Sequence, residues 1–355
     1  MAKIIYVAVA ILIFGILIAL HELGHFLAAK LCGVRVNEFS IGMGPALWSR
    51  DRGETQYSLR LLPIGGYCAM EGEDGDSEDP GALSRQGFWK QFLILVSGAL
   101  MNFLTGLVII AVLFSNASEF YVDGIRGLAP EFQAVGEDGL MPGDRFYKVN
   151  GYRTYFYGDA LTFLSYSGDL AEIEVVRDGR HIQVEAQRKD CTAQDGSKYR
   201  GFGIYTAAQA VPAAGQRLSF IWYRTIDYVQ TVWFSLVQLV TGGASMDDVG
   251  GPVAIISTIT EVGTDPDLSP TAAAAAANIA SLAALIAVNL CVMNLLPIPA
   301  LDGGRIFFLL LGTLSSKLFG KKIPEKYEAY LNTAFFVALM ALMLVITLHD
   351  VYKLF

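Results

Sequence analysis

Long apolar stretches separated by polar segments dominate the pattern of hydrophobic and polar positions along this chain. Four stretches, at about 4–29, 91–115, 273–298 and 329–348, carry few charges. Each is close to the ~20 residues that a helix needs to cross a hydrocarbon core. Hydrophobic residues make up 53% of the chain and the mean hydropathy is +0.43. The pattern predicts a polytopic α-helical membrane protein with a four-span core.

The polar segments that follow the first two spans have a different periodicity. Residues 33–70 alternate apolar and polar positions between glycines and prolines, which predicts short β-strands and turns. From about Glu119 to Thr206 the composition is that of a soluble domain, and strand-like runs flank Asp178-Gly179, a dipeptide typical of hairpin turns. We therefore predict a membrane-associated β-loop and an extramembrane β-rich domain.

The segment from about Arg217 to Thr241 has helical periodicity but an interrupted apolar surface. Apolar residues recur at helical spacing, while Arg224, Asp227 and Gln230 break any face that could contact lipid. We predict an interfacial amphipathic helix that lies on the membrane. If the segment crossed the membrane instead, the direction of the 273–298 span would reverse.

Basic residues indicate which polar segments face the cytoplasm. Arginines and lysines cluster between the first and second spans and again between the third and fourth, and the positive-inside rule places both loops on the cytoplasmic side. Both chain ends and the β-rich domain then face outward, although Lys3 opposes this orientation. The net charge of −8, without a long basic cluster, predicts no nucleic-acid binding.

The sequence HELGH at positions 21–25 lies within the first apolar stretch. Its spacing places His21 and His25 on one helical face, one turn apart, where both can bind one Zn²⁺ while Glu22 holds or deprotonates a metal-bound water. Ionisable side chains at membrane depth cost about 2.5–3.5 kcal/mol each on insertion scales. Three of them within five positions need a compensating partner, so we predict a hydrolytic zinc site inside a membrane helix.

A catalytic zinc site takes three protein ligands, so His21 and His25 need one more donor. The third span ends in NLLPIPALDGG at 294–304, where two prolines must break the helix. Asp302 closes this span on the cytoplasmic side, towards which His21 also lies. From the residues alone, Asp302 is either the third ligand or an acid in a helix-terminal turn before two glycines. In the second span Gly98, Asn102 and Gly106 form a small-residue stripe, which we interpret as helix packing.

HELGH, FSIGMGP at 39–45 and NLLPIPALDGG together resemble the site-2 protease family of intramembrane zinc metalloproteases, of the bacterial regulator-of-sigma-E type. The resemblance implies the ligands His21, His25 and Asp302, with Glu22 as general base. It also implies that Asn294 hydrogen-bonds the extended substrate backbone, whereas a packing amide between spans is the alternative. The chain departs from the family pattern at Ala99, where relatives often have proline.

A resemblance to a single PDZ domain rests on three short motifs between the second and third spans. They are Ala129-Pro130, the run from Gly139 to Asp144, and the run from Lys148 to Gly151. The predicted segments are a first transmembrane helix with HELGH (1–32), a membrane-associated β-loop (33–70), a cytoplasmic acidic loop (71–90), a second transmembrane helix (91–116), a PDZ-like domain (119–206), an interfacial helix (217–241), a third transmembrane segment (271–304) and a fourth transmembrane helix (328–350).

The predicted function is an intramembrane zinc metalloprotease of a bacterial cytoplasmic (inner) membrane, with its active site towards the cytoplasmic side. The resemblance implies single-span substrates, such as anti-sigma factors or signal-peptide remnants. The expected partners are the transmembrane helix of a substrate, a peptide or chain end at the PDZ-like domain, and the lipid bilayer. The alternative is an intramembrane metal or proton transporter, although the polar groups converge on one place and do not follow a path.

Overall fold

The computed structural model describes residues 2–73, 75, 77–132, 139–192, 197–245, 249–320 and 325–353. The chain divides into two compact units, one formed by Met1–Ile109 with Met246–Phe355 and the other by Ile110–Ser245. The helices are α1 (Ala2–Cys32), α2 (Phe88–Phe114), α3 (Asp159–Ser165), α4 (Arg217–Thr241), α5 (Pro252–Thr264), α6 (Ala272–Asn294), α7 (Asp302–Phe319) and α8 (Glu325–Lys353). The strands are β1 (Val36–Arg52), β2 (Thr55–Met70), β3 (Glu119–Leu128), β4 (Arg145–Val149), β5 (Tyr152–Arg153), β6 (Leu170–Arg177), β7 (Arg180–Gln187), β8 (Lys189–Thr192), β9 (Lys198–Gly201) and β10 (Ile204–Pro212).

Four of the described helices are long and apolar enough to cross a membrane, as the hydropathy pattern predicts. These candidate spans are Lys3–Cys32, Phe88–Phe114, Ala272–Asn294 and Glu328–Lys353. The third ends four residues earlier than the apolar stretch at 273–298, because the chain leaves the helix before Pro297 and Pro299. Proline lacks the N–H that a continuing helix would need.

The β-loop is one long, irregular hairpin, whereas the sequence predicts several short strands. β1 and β2 are 17 and 16 residues long and are joined at Gly53-Glu54. Repeated register shifts curl the hairpin, so that Ser40 pairs with both Ser58 and Tyr67. The first part of β1 therefore lies between two stretches of β2.

The hairpin packs against the C-terminal half of α1. In the middle of α1, a Cβ added at Gly15 would lie 2.6 Å from the carbonyl oxygen of Pro63, so only glycine permits this approach. Near the end of α1, Ala29 packs with Val36 of β1 and Ile94 of α2 in one buried apolar cluster. The hairpin is thereby held beside the helix that carries HELGH.

Helix α5, which the residue pattern does not predict, belongs to the unit of Met1–Ile109 and Met246–Phe355, which we call the helical unit. Ile259 of α5 is fully buried and packs with Ala10 and Leu17 of α1 and with Ile279 of α6. The buried carboxylate of Asp350 near the end of α8 accepts hydrogen bonds from the N–H groups of Gly251 and Ala254, each at 3.0 Å. This contact caps the first turn of α5.

The second unit is built on a six-stranded antiparallel sheet in the order β10-β3-β4-β6-β7, with β5 paired to β4. Arg177 pairs with Arg180 across Asp178-Gly179, and both turn residues have positive φ, as in the predicted tight hairpin. The buried core includes Val149, Phe163 and Val175. β10 extends the sheet to Pro212, beyond the predicted limit at residue 206.

Helix α4 packs onto this sheet unit with one of its faces. The Phe220 ring stacks on Phe120 at a centroid distance of 4.1 Å, and Phe234 meets Phe163 at 5.0 Å. The side-chain amide of Gln230 exchanges two hydrogen bonds with the backbone of Arg153, at 3.1 and 2.7 Å. The polar residues that interrupt the apolar surface of α4 therefore serve protein contacts. That the opposite face lies on the membrane stays a prediction.

Candidate metal centre

Three potential ligand atoms converge where α1 meets the start of α7. His21 Nε2 and His25 Nε2 are 3.3 Å apart, and Asp302 Oδ2 lies 3.1 Å from the first and 3.2 Å from the second. They are the group in the described part of the chain with the geometry to hold a metal ion. The structure thus brings together the two histidines of HELGH and the aspartate of NLLPIPALDGG.

The size of this triangle fits zinc. Zinc–nitrogen and zinc–oxygen bonds of about 2.0–2.1 Å in a tetrahedron place the ligand atoms about 3.3 Å apart. Asp302 Oδ2 is buried and has no hydrogen-bond partner among the described residues. A buried carboxylate oxygen directed at two imidazole nitrogens needs a cation, because burying an uncompensated charge is costly. A zinc ion bound by these three residues would keep one position open for water.

A backbone group of α2 contacts Nδ1 of His25, the ring nitrogen that faces away from the candidate metal position. Its Nδ1 lies 2.8 Å from the backbone carbonyl oxygen of Ile94, which can only accept a hydrogen bond. Nδ1 therefore carries the proton and Nε2 keeps its lone pair for a metal. The contact also fixes the orientation of the imidazole ring.

Asn102 of α2 contacts Nδ1 of His21 in the same way. Its amide nitrogen Nδ2 lies 3.2 Å from His21 Nδ1, and Asn102 is fully buried. In this orientation Oδ1 has no hydrogen-bond partner. Rotating the amide by 180° exchanges its two atoms, so that Oδ1 accepts a hydrogen bond from an Nδ1–H group of His21. In that arrangement His21 Nε2 is free of a proton and faces the metal position. The spacing of Asn102 with Gly98 and Gly106 predicts helix packing alone and does not reveal this contact.

Two glycines allow α2 to approach the metal centre. A Cβ added at Gly98 would lie 2.3 Å from His25 Nε2 and 2.8 Å from His21 Cε1. A Cβ at Gly24 of α1 would lie 2.4 Å from the carbonyl oxygen of Ser97. The small-residue stripe of α2 therefore has two roles, because Gly106 packs against Val288 of α6 while Gly98 lies against the two imidazoles.

The start of α7 is held in a tight turn. A Cβ at Gly303 would lie 2.1 Å from the carbonyl oxygen of Leu296, and one at Gly304 would lie 2.4 Å from that of Ile298. Ala300 has a φ of +76°, and its N–H donates to Asn332 Oδ1 of α8 at 3.2 Å. The turn folds the chain back so that Asp302, the first residue of α7, reaches the histidines.

A cavity of about 390 Å³ opens beside these ligands, and we call it the metal-site cavity. Glu22 lines it, and the β2 backbone passes close by, since a Cβ at Gly66 would lie 3.5 Å from Glu22 Cγ. Its described lining consists of Glu22, His25, Tyr67, Cys68, Ala69, Met70, Glu73, Leu95, Ala300, Leu301, Asp302 and Arg305. Asn294 ends α6 and is absent from this lining. The cavity places a carboxylate and a strand edge beside the candidate metal position.

Comparison with known proteins agrees with this geometry. The family model for peptidase family M50 matches residues 9–342. A protein of Clostridium perfringens named as a zinc metalloprotease is 36% identical over 349 residues, covering 98% of each chain. The zinc metalloprotease RasP of Bacillus licheniformis is 28% identical, covering 97% of this chain and 98% of its own. The regulator of sigma-W protease RasP of Bacillus subtilis is 26% identical with the same coverage. The chain therefore belongs to peptidase family M50 and is a zinc metalloprotease with candidate membrane-spanning helices.

Proposed function

We propose that this metalloprotease cuts substrates within their transmembrane segments. The observation that carries the proposal is the position of the ligand triangle. His21 and His25 lie within the 30-residue candidate span Lys3–Cys32, and Asp302 follows the candidate span Ala272–Asn294 after a short turn. A metal centre on such helices meets its substrate at membrane depth.

In the proposed site, His21, His25 and Asp302 hold the zinc ion. Bound zinc supplies Lewis-acid chemistry and lowers the pKa of a coordinated water. Glu22 takes the proton from the attacking water and passes it to the leaving amine of the scissile peptide. Ile94 and Asn102 hold the two imidazoles in the tautomers that leave Nε2 available.

The substrate must unwind before it can be cut, because a helix hides its carbonyl groups in hydrogen bonds. We propose that the unwound stretch pairs with the edge of β2 at 66–70, since Tyr67 to Met70 line the metal-site cavity. For Asn294 we retain the role implied by the family, a hydrogen bond to the extended substrate backbone. Asn294 does not line the described part of the metal-site cavity, so this role requires a substrate that extends beyond that part.

The sheet unit is proposed to act as the PDZ-like domain of this protease. Its position in the chain, between two candidate spans, supports an extracytoplasmic location on the same side as both termini. There it binds an exposed chain end or excludes substrates with bulky outer domains. The proposed location of the protein is a bacterial cytoplasmic membrane, with the active site towards the cytoplasm.

The substrate class follows from the chemistry and from the relatives. A transmembrane segment that can reach an intramembrane site belongs to a single-span protein with a short outer part. Because one relative is named as a regulator of sigma-W, we propose anti-sigma factors as one substrate class and signal-peptide remnants as another. The names of the relatives favour a protease over a transporter.

The test is cleavage of a single-span substrate in proteoliposomes. We expect Glu22→Gln to lose cleavage by a factor of about 10² or more, because the proton of the attacking water then has no acceptor. Zinc content, measured by mass spectrometry of the metal, should stay at the wild-type level in Glu22→Gln and fall in His21→Ala. Full cleavage by Glu22→Gln would refute the mechanism. Membrane proteins that accumulate with Glu22→Gln in cells would identify natural substrates.

A further inference from the structure

An ion pair joins the metal-carrying helix to the end of the β-hairpin. Arg305 lies one turn after Asp302 on α7, and its Nη1 donates to Glu73 Oε1. The other carboxylate oxygen of Glu73 accepts a hydrogen bond from the backbone N–H of Met70 at 3.1 Å. Glu73 therefore connects the last residue of β2 to the helix that begins with Asp302.

Both members of this pair face the space where a substrate would lie. Glu73 and Arg305 line the metal-site cavity, and they also line a second cavity of about 620 Å³. The walls of this second cavity include Gln91 of α2, Phe308 of α7 and Asn332 of α8. The ion pair thus forms part of the partition between two cavities, with side chains 30% and 20% exposed.

Residues 66–70 form an edge of the β-hairpin that can accept a further strand. They pair with β1 on one side, and no other described strand pairs with them. Cys68 and Met70 are buried with Ala29 and Ile94, so packing holds this stretch against α1 and α2. The pair of Glu73 and Arg305 adds a direct link from the end of β2 to α7, which begins with the metal ligand Asp302.

We propose that Glu73 and Arg305 are positioning residues for proteolysis, and that their ion pair sets the distance between the substrate-pairing edge of β2 and the metal ligand Asp302. This inference rests on the proposed function. A charge-assisted hydrogen bond suits the role because it is shorter and about twice as strong as a neutral one. A displaced β2 edge pairs less well with the unwound substrate, which weakens substrate binding and raises KM.

The test measures KM and kcat for a single-span substrate with Glu73→Gln and Arg305→Gln. Each variant should keep full zinc content and lose kcat/KM by about 10- to 100-fold, mainly through a higher KM. The exchange Glu73→Arg with Arg305→Glu should recover part of the loss. It restores opposite charges, but it leaves the Met70 N–H without its carboxylate acceptor.

The matched control is the ion pair between Lys30 and Glu54, at 2.5 Å. It also joins the hairpin to a helix, but it lies at the β1–β2 turn and lines neither cavity. Lys30→Gln and Glu54→Gln should leave KM at the wild-type value. An equal rise of KM in these variants would overturn the proposal, since general loosening of the hairpin would then explain the effect.

Zinc content and amide hydrogen exchange of the Arg305→Gln variant provide two further tests of the proposal. Loss of zinc in Arg305→Gln would overturn the proposal, because the pair would then act on the metal ligand and not on the substrate strand. Amide hydrogen exchange at 66–70 should be faster in Arg305→Gln, whether or not any substrate is cut, and unchanged exchange would overturn the proposal. If the glutamine variants do not fold, Arg305→Lys undergoes the same measurements with the same criteria. Absence of cleavage by the wild type would instead refute the proposed function.

Discussion

At the scale of single residues, the metal centre depends on which nitrogen of each imidazole carries a proton. The spacing of HELGH places His21 and His25 on one helical face, but it cannot give their tautomers. Those depend on the Ile94 carbonyl group and the Asn102 amide, which α2 contributes from about 70 to 80 residues away in sequence. A buried asparagine in a membrane helix was the available signal, because polar groups in lipid need partners.

Gly98→Ala tests how closely α2 approaches the metal centre. The added methyl group would overlap His25 Nε2, at 2.3 Å, and displace both imidazoles. We expect zinc content to fall well below one ion per chain, with loss of cleavage. The matched control is Gly106→Ala, whose methyl group meets Val288 at 2.8 Å and so disturbs helix packing alone. Stoichiometric zinc in purified Gly98→Ala would contradict this geometry.

Asn102→Leu tests the contact to His21. Leucine keeps a similar volume but cannot accept from Nδ1–H, so the imidazole loses the group that orients it. Loss of such a partner typically costs about 10- to 100-fold in metal affinity. The measurement is competition for zinc with a chelator of known affinity. An unchanged zinc affinity would return Asn102 to the packing role that the sequence suggested.

At the scale of elements, α4 shows how tertiary packing changes the meaning of an amphipathic pattern. Its Asp227 is only 3% exposed and pairs with Arg224 at 2.9 Å. Periodicity identified the helix but could not tell a protein-facing stripe from a lipid-facing one, because both are apolar. Leu218, Trp222, Trp233 and Val240 remain exposed on α4. That these exposed apolar side chains of α4 contact the membrane surface stays a prediction.

The packing of α4 predicts a pH dependence of the sheet unit. Burial is the main reason that the pKa of Asp227 is raised from 3.8 to about 7; the nearby Asp159 carboxylate adds to this rise, and Arg224 opposes it. The folded unit therefore binds a proton that the unfolded chain releases near pH 4. The proton bound by Asp227 stabilises the folded unit to its full extent below about pH 4. This stabilisation is lost as the pH rises towards 7 and changes little at higher pH.

We expect Asp227→Asn to flatten this profile by on the order of 1–4 kcal/mol between pH 4 and pH 8. The measurement is hydrogen exchange of core amides in β3 and β10 of the full-length protein in detergent, across that range. Asp169→Asn serves as the control, because Asp169 forms an exposed ion pair with Arg200. A pH profile of Asp227→Asn identical to that of the wild type would refute this assignment.

At the scale of the whole molecule, the candidate metal centre lies within one of the two compact units. All three candidate ligands and Glu22 belong to the helical unit, and the sheet unit of Ile110–Ser245 contributes none of them. This division is consistent with the proposal that the sheet unit filters substrates and the other unit carries the chemistry.

The filter predicts a dependence on substrate size. The wild type should cut a single-span substrate with a short outer segment and should spare one with a folded outer domain. Removal of 119–206 alone would expose Phe220 and Phe234 of α4, so the informative deletion replaces 118–241 with a flexible linker. Cleavage of both substrates by the deletion variant would support the filter, measured as the ratio of the two rates. An unchanged ratio would count against it.

The sequence by itself determined the four candidate spans, the helical periodicity of HELGH and the helix break at Pro297 and Pro299. Each of these follows from local hydropathy, spacing or backbone chemistry. It also pointed to Asp302 as a ligand, although the residues alone left a turn acid as the alternative. Only the tertiary structure placed Asp302 Oδ2 beside two imidazoles and Asn102 beside His21. It likewise joined Glu73 to Arg305, which are 232 residues apart in sequence. Contacts between distant segments depend on how the helices and the hairpin pack, and no local pattern encodes that packing.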